Sequence, residues 1–447
     1  MSTLIDRVGP LDRARSIAPP GYSRWRVPPA ALAIHLSIGQ AYAFSVFNLP
    51  LTRVLGVTES APGDWALTTV GWIFSIAIVC LGLSAFTFGR WLEEAGPRKA
   101  MFASACCFAG GFFVAALGVR WHVIGLVYLG YGVLGGIGLG LGYISPVSTL
   151  IKWFPDRPGM ATGLAIMGFG GGAMIGSPLA IALMARFRSE TSVGVAESFV
   201  AMGVLYFAVM MVGVLTVRLP SSDAAVAPPT PAVSAESHVR FATRTREFWL
   251  LWIVLCLNVT AGIGVLGQAS PMIQEMFPGR VTPEAAARFV VLLSLANMVG
   301  RFVWSSVSDH IGRPRTYAIF FALGAVLYAV VPSIGRSGTI AAFVAAYAVI
   351  MSMYGGGFAT IPAYLRDTFG TRYVGAVHGR LLTAWSLAGV AGPVLVNYLR
   401  AWQIDRGVPK AEAYSVTMYV MAVLLVIGFV ANARVGASGR REAATES

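Results

Sequence analysis

LANMVGRFVWSSVSDHIGRPR, residues 295–315, sets one arginine, Arg301, inside a stretch that is otherwise largely apolar from Phe289 to Val307. That stretch is long enough to cross a bilayer. An arginine at the centre of a membrane helix costs roughly 2.5–3.5 kcal/mol on insertion scales, so it is expected to serve a function. The stretch ends in a short charged segment, SSVSDHIGRPR (305–315), and the pattern of that segment occurs earlier as GRWLEEAGPRK (89–99). Each copy has an acid at its fifth place, Glu93 and Asp309, and a glycine at its eighth, Gly96 and Gly312, followed by basic residues. A repeated loop predicts two related halves.

Composition supports a membrane protein. Of 447 residues, 56% are hydrophobic and only 12% charged, with a mean hydropathy of +0.70. A soluble domain needs more charge than this to cover its surface. Glycine is abundant at 51 residues, which suits closely packed membrane helices. Apolar runs predict spans at 28–50, 66–89, 99–119, 122–149, 160–185, 197–217, 247–270, 285–307, 316–333, 339–364, 376–399 and 412–433. The expected architecture is all-α, with twelve transmembrane helices in two pseudo-symmetric six-helix bundles. The tail 1–27 precedes the first bundle, 28–217. The Pro-, Ala- and Ser-rich 218–246 reads as a flexible linker. The second bundle is 247–433, and 434–447 is a tail.

The net charge of +13 does not signal nucleic acid, because the basic residues are scattered over short loops. They report topology instead. With the N-terminus inside, 22 of the 33 Lys and Arg fall on the cytoplasmic side and ten outside, which predicts that both termini are cytoplasmic. The first apolar run follows the basic tail without a small-residue cleavage site, and reads as a first membrane helix. Cys80, Cys106, Cys107 and Cys256 lie in apolar runs without metal-ligand spacing and are expected to be reduced core residues. The glycine run GGIGLGLG (135–142) lies inside a span and lacks the Lys-Ser/Thr ending of a phosphate loop, so it reads as helix packing. No metal site, cofactor or catalytic nucleophile–base pair is expected, and the chain does not read as an enzyme.

The doubled loop in a six-plus-six chain resembles the major facilitator superfamily. The copies depart mildly, with Glu93 in place of aspartate and Ser305 in place of glycine. The resemblance implies that Glu93, Arg98, Asp309 and Arg313 form charged loops that hold the inner face shut. Within that superfamily, KWFPDRPGMATGLAIMGFGGGAMIGSP (152–178) resembles oxalate:formate antiporters and monocarboxylate transporters. The block MYGGGFATIPAYLRDTFGTRYVGAVHGRLLTAWSLAGVAGP (353–393) is similar to helices ten and eleven of the oxalate:formate antiporter family. GQAYAFSVF (39–47) and GLGYISPVSTLIKWF (140–154) agree.

The resemblance makes Arg301 the ligand of a substrate anion, with Asn297 one turn earlier. Chemistry points the same way: a guanidinium stays protonated and its forked donors match a carboxylate. No acidic residue stands near the centre of any span to neutralise it. The competing placement has Arg301 snorkelling to the cytoplasmic face or bonding helix carbonyls. Tyr354, Phe358, Gln40, Tyr42 and Tyr143 carry over by position as further cavity residues. Two departures matter. Trp385 stands where oxalate transporters of the family have a lysine, which favours a monoanion such as pyruvate, lactate or formate. Asn297 stands where monocarboxylate transporters have a titratable aspartate, leaving His35 as a possible proton-coupling group.

The expectation is alternating access of a small carboxylate across a bacterial inner membrane, by a protein that works as a monomer in the lipid bilayer. An oxalate:formate-type exchanger, a drug or metabolite exporter and a transporter-like carboxylate sensor are the alternatives.

Overall fold

The computed structural model describes residues 9–221, 235–266, 268–371 and 373–445. Within them, twelve helices are long and apolar enough to cross a membrane. They are α1 Arg24–Leu51, α2 Thr68–Ala95, α3 Pro97–Arg120, α4 Ile124–Trp153, α5 Pro158–Phe187, α6 Val195–Thr216, α7 Arg246–Leu266, α8 Arg288–Ile311, α9 Arg313–Ser337, α10 Ile340–Phe369, α11 Val374–Asp405 and α12 Ser415–Val435. They follow the expected spans in order and form two bundles, α1–α6 and α7–α12. Large apolar side chains such as Val204, Val212, Val326 and Val423 are exposed on the outside of the bundles, where a bilayer would cover them.

Three sequence expectations change. Residues 1–8 of the first tail, 222–234 of the linker and the last two residues lie outside the described residues. The rest of the linker carries a helix, Ala235–Arg244, where a flexible segment was expected. Val239 and Ala242 of that helix are buried, because it lays a narrow apolar stripe against the bundle. The tail expected from residue 434 continues the last helix to Thr445. Of the cysteines, all free, only Cys256 is buried, while Cys106 is exposed, since a membrane helix turns apolar residues toward lipid as readily as toward the core.

The bundles meet along two seams, α5 against α8 and α2 against α11. These seams correspond under the relation that carries each helix of the first bundle to its counterpart six later. Glycine permits the close approach. A Cβ on Gly163 of α5 would stand 2.8 Å from the Arg301 carbonyl oxygen, and one on Gly82 of α2 would stand 2.9 Å from the Leu382 carbonyl oxygen. Both are well inside van der Waals contact, so a side chain there would push the seam apart.

α1 is unusual in its outer half. It runs as an α-helix over Pro28–Ile38 and then as a nine-residue 3-10 helix over Gly39–Phe47, longer than such runs usually are. In a 3-10 helix, residues three apart eclipse. Tyr42, Ser45 and Asn48 therefore stand in one column.

Candidate functional site

Between the bundles lies a cavity of about 800 Å³. Its lining comes from the last part of α1 (Tyr42, Ser45, Asn48), the first part of α2 (Thr68, Ser75) and the first part of α8 (Ser294, Asn297), with Asn397 from α11. These helix ends lie away from the chain termini, so the cavity opens toward the opposite face. The volume suits a small solute with room for water. The α1 column is a set of polar lining groups that sequence reading found only in Tyr42. The signal was the spacing 42, 45, 48, legible only once the helix is known to be 3-10.

Asn297 and Gly170 line the cavity, and Arg301 is in contact with both. Arg301 has no solvent-exposed surface, so it does not snorkel. Its Nε donates to Asn297 Oδ1 at 2.8 Å, and Nη1 makes a long 3.4 Å contact with the Ile166 carbonyl of α5. Nη2 meets no hydrogen-bond acceptor among the described residues. The guanidinium also lies 5.3 Å from the Phe358 ring centre and 5.7 Å from that of Phe169. Around it, Trp385 packs on Phe358 at 4.5 Å, on Tyr143 at 5.3 Å and on Phe169 at 5.6 Å. Tyr354 packs edge-on against Phe358 at 5.4 Å. The hydroxyls of Tyr42, Tyr143 and Tyr354 and the Trp385 indole N–H are buried and meet no hydrogen-bond partner among the described residues. Buried polar groups normally find partners. Here several donors converge, unspent, around one cation with no carboxylate beside it.

The Major Facilitator Superfamily profile matches residues 30–393 and again 280–443. The chain belongs to the Major Facilitator Superfamily. The oxalate:formate antiporter of Oxalobacter formigenes is 27% identical over 81% of this chain and 81% of its own length. Apicoplast pyruvate carrier 1 of Toxoplasma gondii is 24% identical over 72% of this chain and 68% of its own. Among solved structures, the superfamily transporter FucP in the outward conformation superposes with a TM-score of 0.66 and 14% identity, over 92% of this chain and 99% of that one.

In this superfamily member the two repeated loops lie on the face that carries the termini, and there they cross the seams. Asp309 accepts hydrogen bonds from the backbone N–H groups of Gly159 and Met160, each at 2.8 Å, at the start of α5. Glu93 accepts from the Gly375 N–H at the start of α11 at 3.1 Å and from Ser148 Oγ at 2.7 Å. A carboxylate at a helix N-terminus meets unpaired N–H donors and the positive end of the helix dipole. Arg313 pairs with Asp309 and, at 3.1 Å, with Asp367. Arg98 differs from the expectation. Its Nη1 donates to the Pro10 carbonyl and its Nη2 to that of Leu215, tying the tail to α6, while Lys152 is the cation beside Glu93 at 3.1 Å. The loop turns at Gly96, with φ +87°, and the first place after it, held by Arg313 in the other copy, is Pro97, so Arg98 falls one place later inside α3.

Gln40 also departs from the expectation. It is fully buried, and its Oε1 accepts from the Tyr131 hydroxyl at 3.0 Å inside the first bundle. Gln40 and Tyr42, two residues apart, fall on different sides of α1, Tyr42 at the cavity and Gln40 inside the first bundle. Of the residues expected around the cavity only Tyr42 and Asn297 line it; Tyr143, Tyr354, Phe358 and Trp385, like Arg301 and Gln40, are not among its lining residues. His35 is fully buried beside Tyr143, at a ring distance of 5.4 Å. His378 of α11, which sequence reading passed over, is also buried, lies 5.9 Å from the Tyr143 ring, and has no partner for either ring nitrogen among the described residues. An ionisable residue within a span was its signal. Among the described residues, no three His, Cys, Asp or Glu side chains cluster to hold a metal ion.

Proposed function

We propose that this protein is a secondary transporter of small carboxylates, with a monocarboxylate such as pyruvate, lactate or formate as its substrate. One observation carries the reading: Arg301, buried beside the cavity wall, has a free Nη2 and no carboxylate partner among the described residues. A substrate carboxylate descending from the cavity would meet that fork, with the Tyr42, Tyr143 and Tyr354 hydroxyls and the Trp385 N–H as further donors. The relatives named above, an oxalate:formate antiporter and a pyruvate carrier, support this substrate class.

Trp385 argues for a single negative charge. It fills the space beside Arg301 with an indole and brings no second cation. Oxalate:formate-type exchange is the competing reading, favoured by the 27% identity to that antiporter.

The mechanism is alternating access. The Asp309 and Glu93 contacts hold the terminus-side face shut while the cavity opens opposite. Breaking both and closing the cavity would deliver the anion to the other side. We place the protein as a monomer in a bacterial inner membrane with cytoplasmic termini, so the cavity faces outward.

Purified protein in liposomes tests this. Labelled pyruvate should enter, and Arg301→Ala should cut entry at least about thirtyfold while the protein still inserts, since truncating one partner of a buried charge pair costs about 2–5 kcal/mol. Undiminished entry with Arg301→Ala would contradict the reading. Entry only into preloaded vesicles, with oxalate and formate but not lactate as counter-substrates, would favour the exchanger.

A further inference from the structure

His35 lies in the inner half of α1 with no exposed surface. Each of its ring nitrogens faces a carbonyl oxygen: Nδ1 is 2.5 Å from that of Ala165 in α5, and Nε2 is 3.1 Å from that of Tyr143 in α4. A carbonyl oxygen only accepts. Neutral imidazole has one N–H, so it can satisfy one carbonyl and must turn a lone pair toward the other. Imidazolium donates to both. The cradle therefore fits a proton as well as a ring.

The cradle is joined to the anion site. Ala165 holds His35, and the next residue, Ile166, offers its carbonyl to Arg301 Nη1. Two basic groups, one from each bundle, hang from consecutive carbonyls of one helix. The titratable or charged groups facing His35 are Arg301 from α8, Tyr143 from α4, and His378 from α11 beyond the Tyr143 ring. α5 presents the Phe169 ring at 6.5 Å. The titratable groups of α6 are engaged elsewhere, Glu197 with Ser192 and Tyr206 with Phe108 and Phe112. None of these neighbours is a carboxylate. Arg301 and a protonated His35 would repel each other until an anion settles on Arg301. Anion and proton binding therefore favour one another, and the linkage is reciprocal.

We propose that His35 is the proton site of the transporter, and that a carboxylate on Arg301 and a proton on His35 load together and cross as a neutral pair. The proposal rests on the carboxylate reading of Arg301. A proton from the cavity side adds to the ring nitrogen that carries the lone pair. No bond in the carboxylate is made or broken, and both leave when the terminus-side face opens.

The test uses the full chain, wild type and His35→Gln, in liposomes with labelled pyruvate. Wild type should accumulate pyruvate under an inward proton gradient whether or not the membrane potential is clamped. His35→Gln should keep pyruvate-for-pyruvate exchange at equal pH and lose gradient-driven accumulation at least about fivefold. Normal exchange together with undiminished gradient-driven accumulation in His35→Gln would overturn the proposal. Should that variant fail to insert, wild type in weak buffer near neutral pH gives a second readout. Saturating pyruvate should draw about one proton from solution per anion bound, and binding without proton uptake overturns the proposal. A wild-type protein that binds and exchanges none of pyruvate, lactate, formate or oxalate overturns the carboxylate reading, and this inference with it.

Discussion

The two faces of the seam between the bundles use different chemistry. On the terminus side, carboxylates reach across the seams to backbone N–H groups. Asp309 of the second bundle holds α5 of the first, and Glu93 of the first holds α11 of the second. On the opposite side the lining offers amides and hydroxyls. Asn48 Oδ1 has no partner, and the Ser294 hydroxyl turns back to its own helix at Val290. A charge at a helix end is worth more than a neutral hydroxyl, so under the proposed mechanism the terminus side is the one held and the cavity side the one free to move. The two latches also differ. Asp309 takes two N–H groups from the helix it meets and has Arg313 beside it, whereas Glu93 takes one and shares its charge with Ser148 and Lys152.

That asymmetry can be broken first at Asp309. Its side chain is only 7% exposed, and Asp309→Ala should shift the balance toward a terminus-side opening by about 3 kcal/mol, roughly a hundredfold, as for other buried charge contacts that lose one partner. The readout is maleimide labelling of a cysteine replacing Ala376, which is buried on that side, in a chain lacking its native cysteines. Labelling unchanged by Asp309→Ala would refute the latch. Glu93→Gln keeps an oxygen for the Gly375 N–H and loses the attraction to Lys152. Its expected shift is about 1–2 kcal/mol in the same assay. If Glu93→Gln opens the face more than Asp309→Ala does, the ranking of the latches is reversed. The smallest effect belongs to the free side. Asn48→Ala should change the apparent affinity for pyruvate by no more than about threefold, because a neutral amide contributes less than a charged contact. It should leave Ala376→Cys labelling unaltered. A large change in labelling would mean that the cavity rim also biases the equilibrium.

The site was legible in part. Arg301 stood out because a permanent cation in an apolar run has few innocent explanations, and Asn297, at i−4, follows from helix geometry alone. The hydrogen bond between the two is what that spacing permits. Gln40 looked equivalent to Tyr42 in sequence, yet residues two apart fall on different sides of a helix, and packing decided that Tyr42 meets the cavity while Gln40 meets Tyr131. Arg98 looked like the partner of Glu93 because it follows it in the repeat. Pro97 stands at the place that Arg313 holds in the other copy, so Arg98 comes one place later and turns to the Pro10 and Leu215 carbonyls, and Lys152, from a different helix, supplies the charge. His378 was legible only as an ionisable residue within a span; its burial depends on α11 packing into the opposite bundle.

By itself the sequence determined what hydropathy and charge can encode: twelve spans, two related halves, the loop acids and one costly arginine. Segment length against bilayer thickness and the desolvation cost of a charge decide those features locally. Tertiary structure decided which face is open, which aromatic groups surround Arg301, and that His35 and Arg301 hang from neighbouring carbonyls of α5. In a membrane, lipid-facing and core-facing residues are alike apolar, so hydropathy does not mark which side of a helix meets its neighbour. Close packing and hydrogen bonding between helices make that choice, and they exist only once the bundles have assembled.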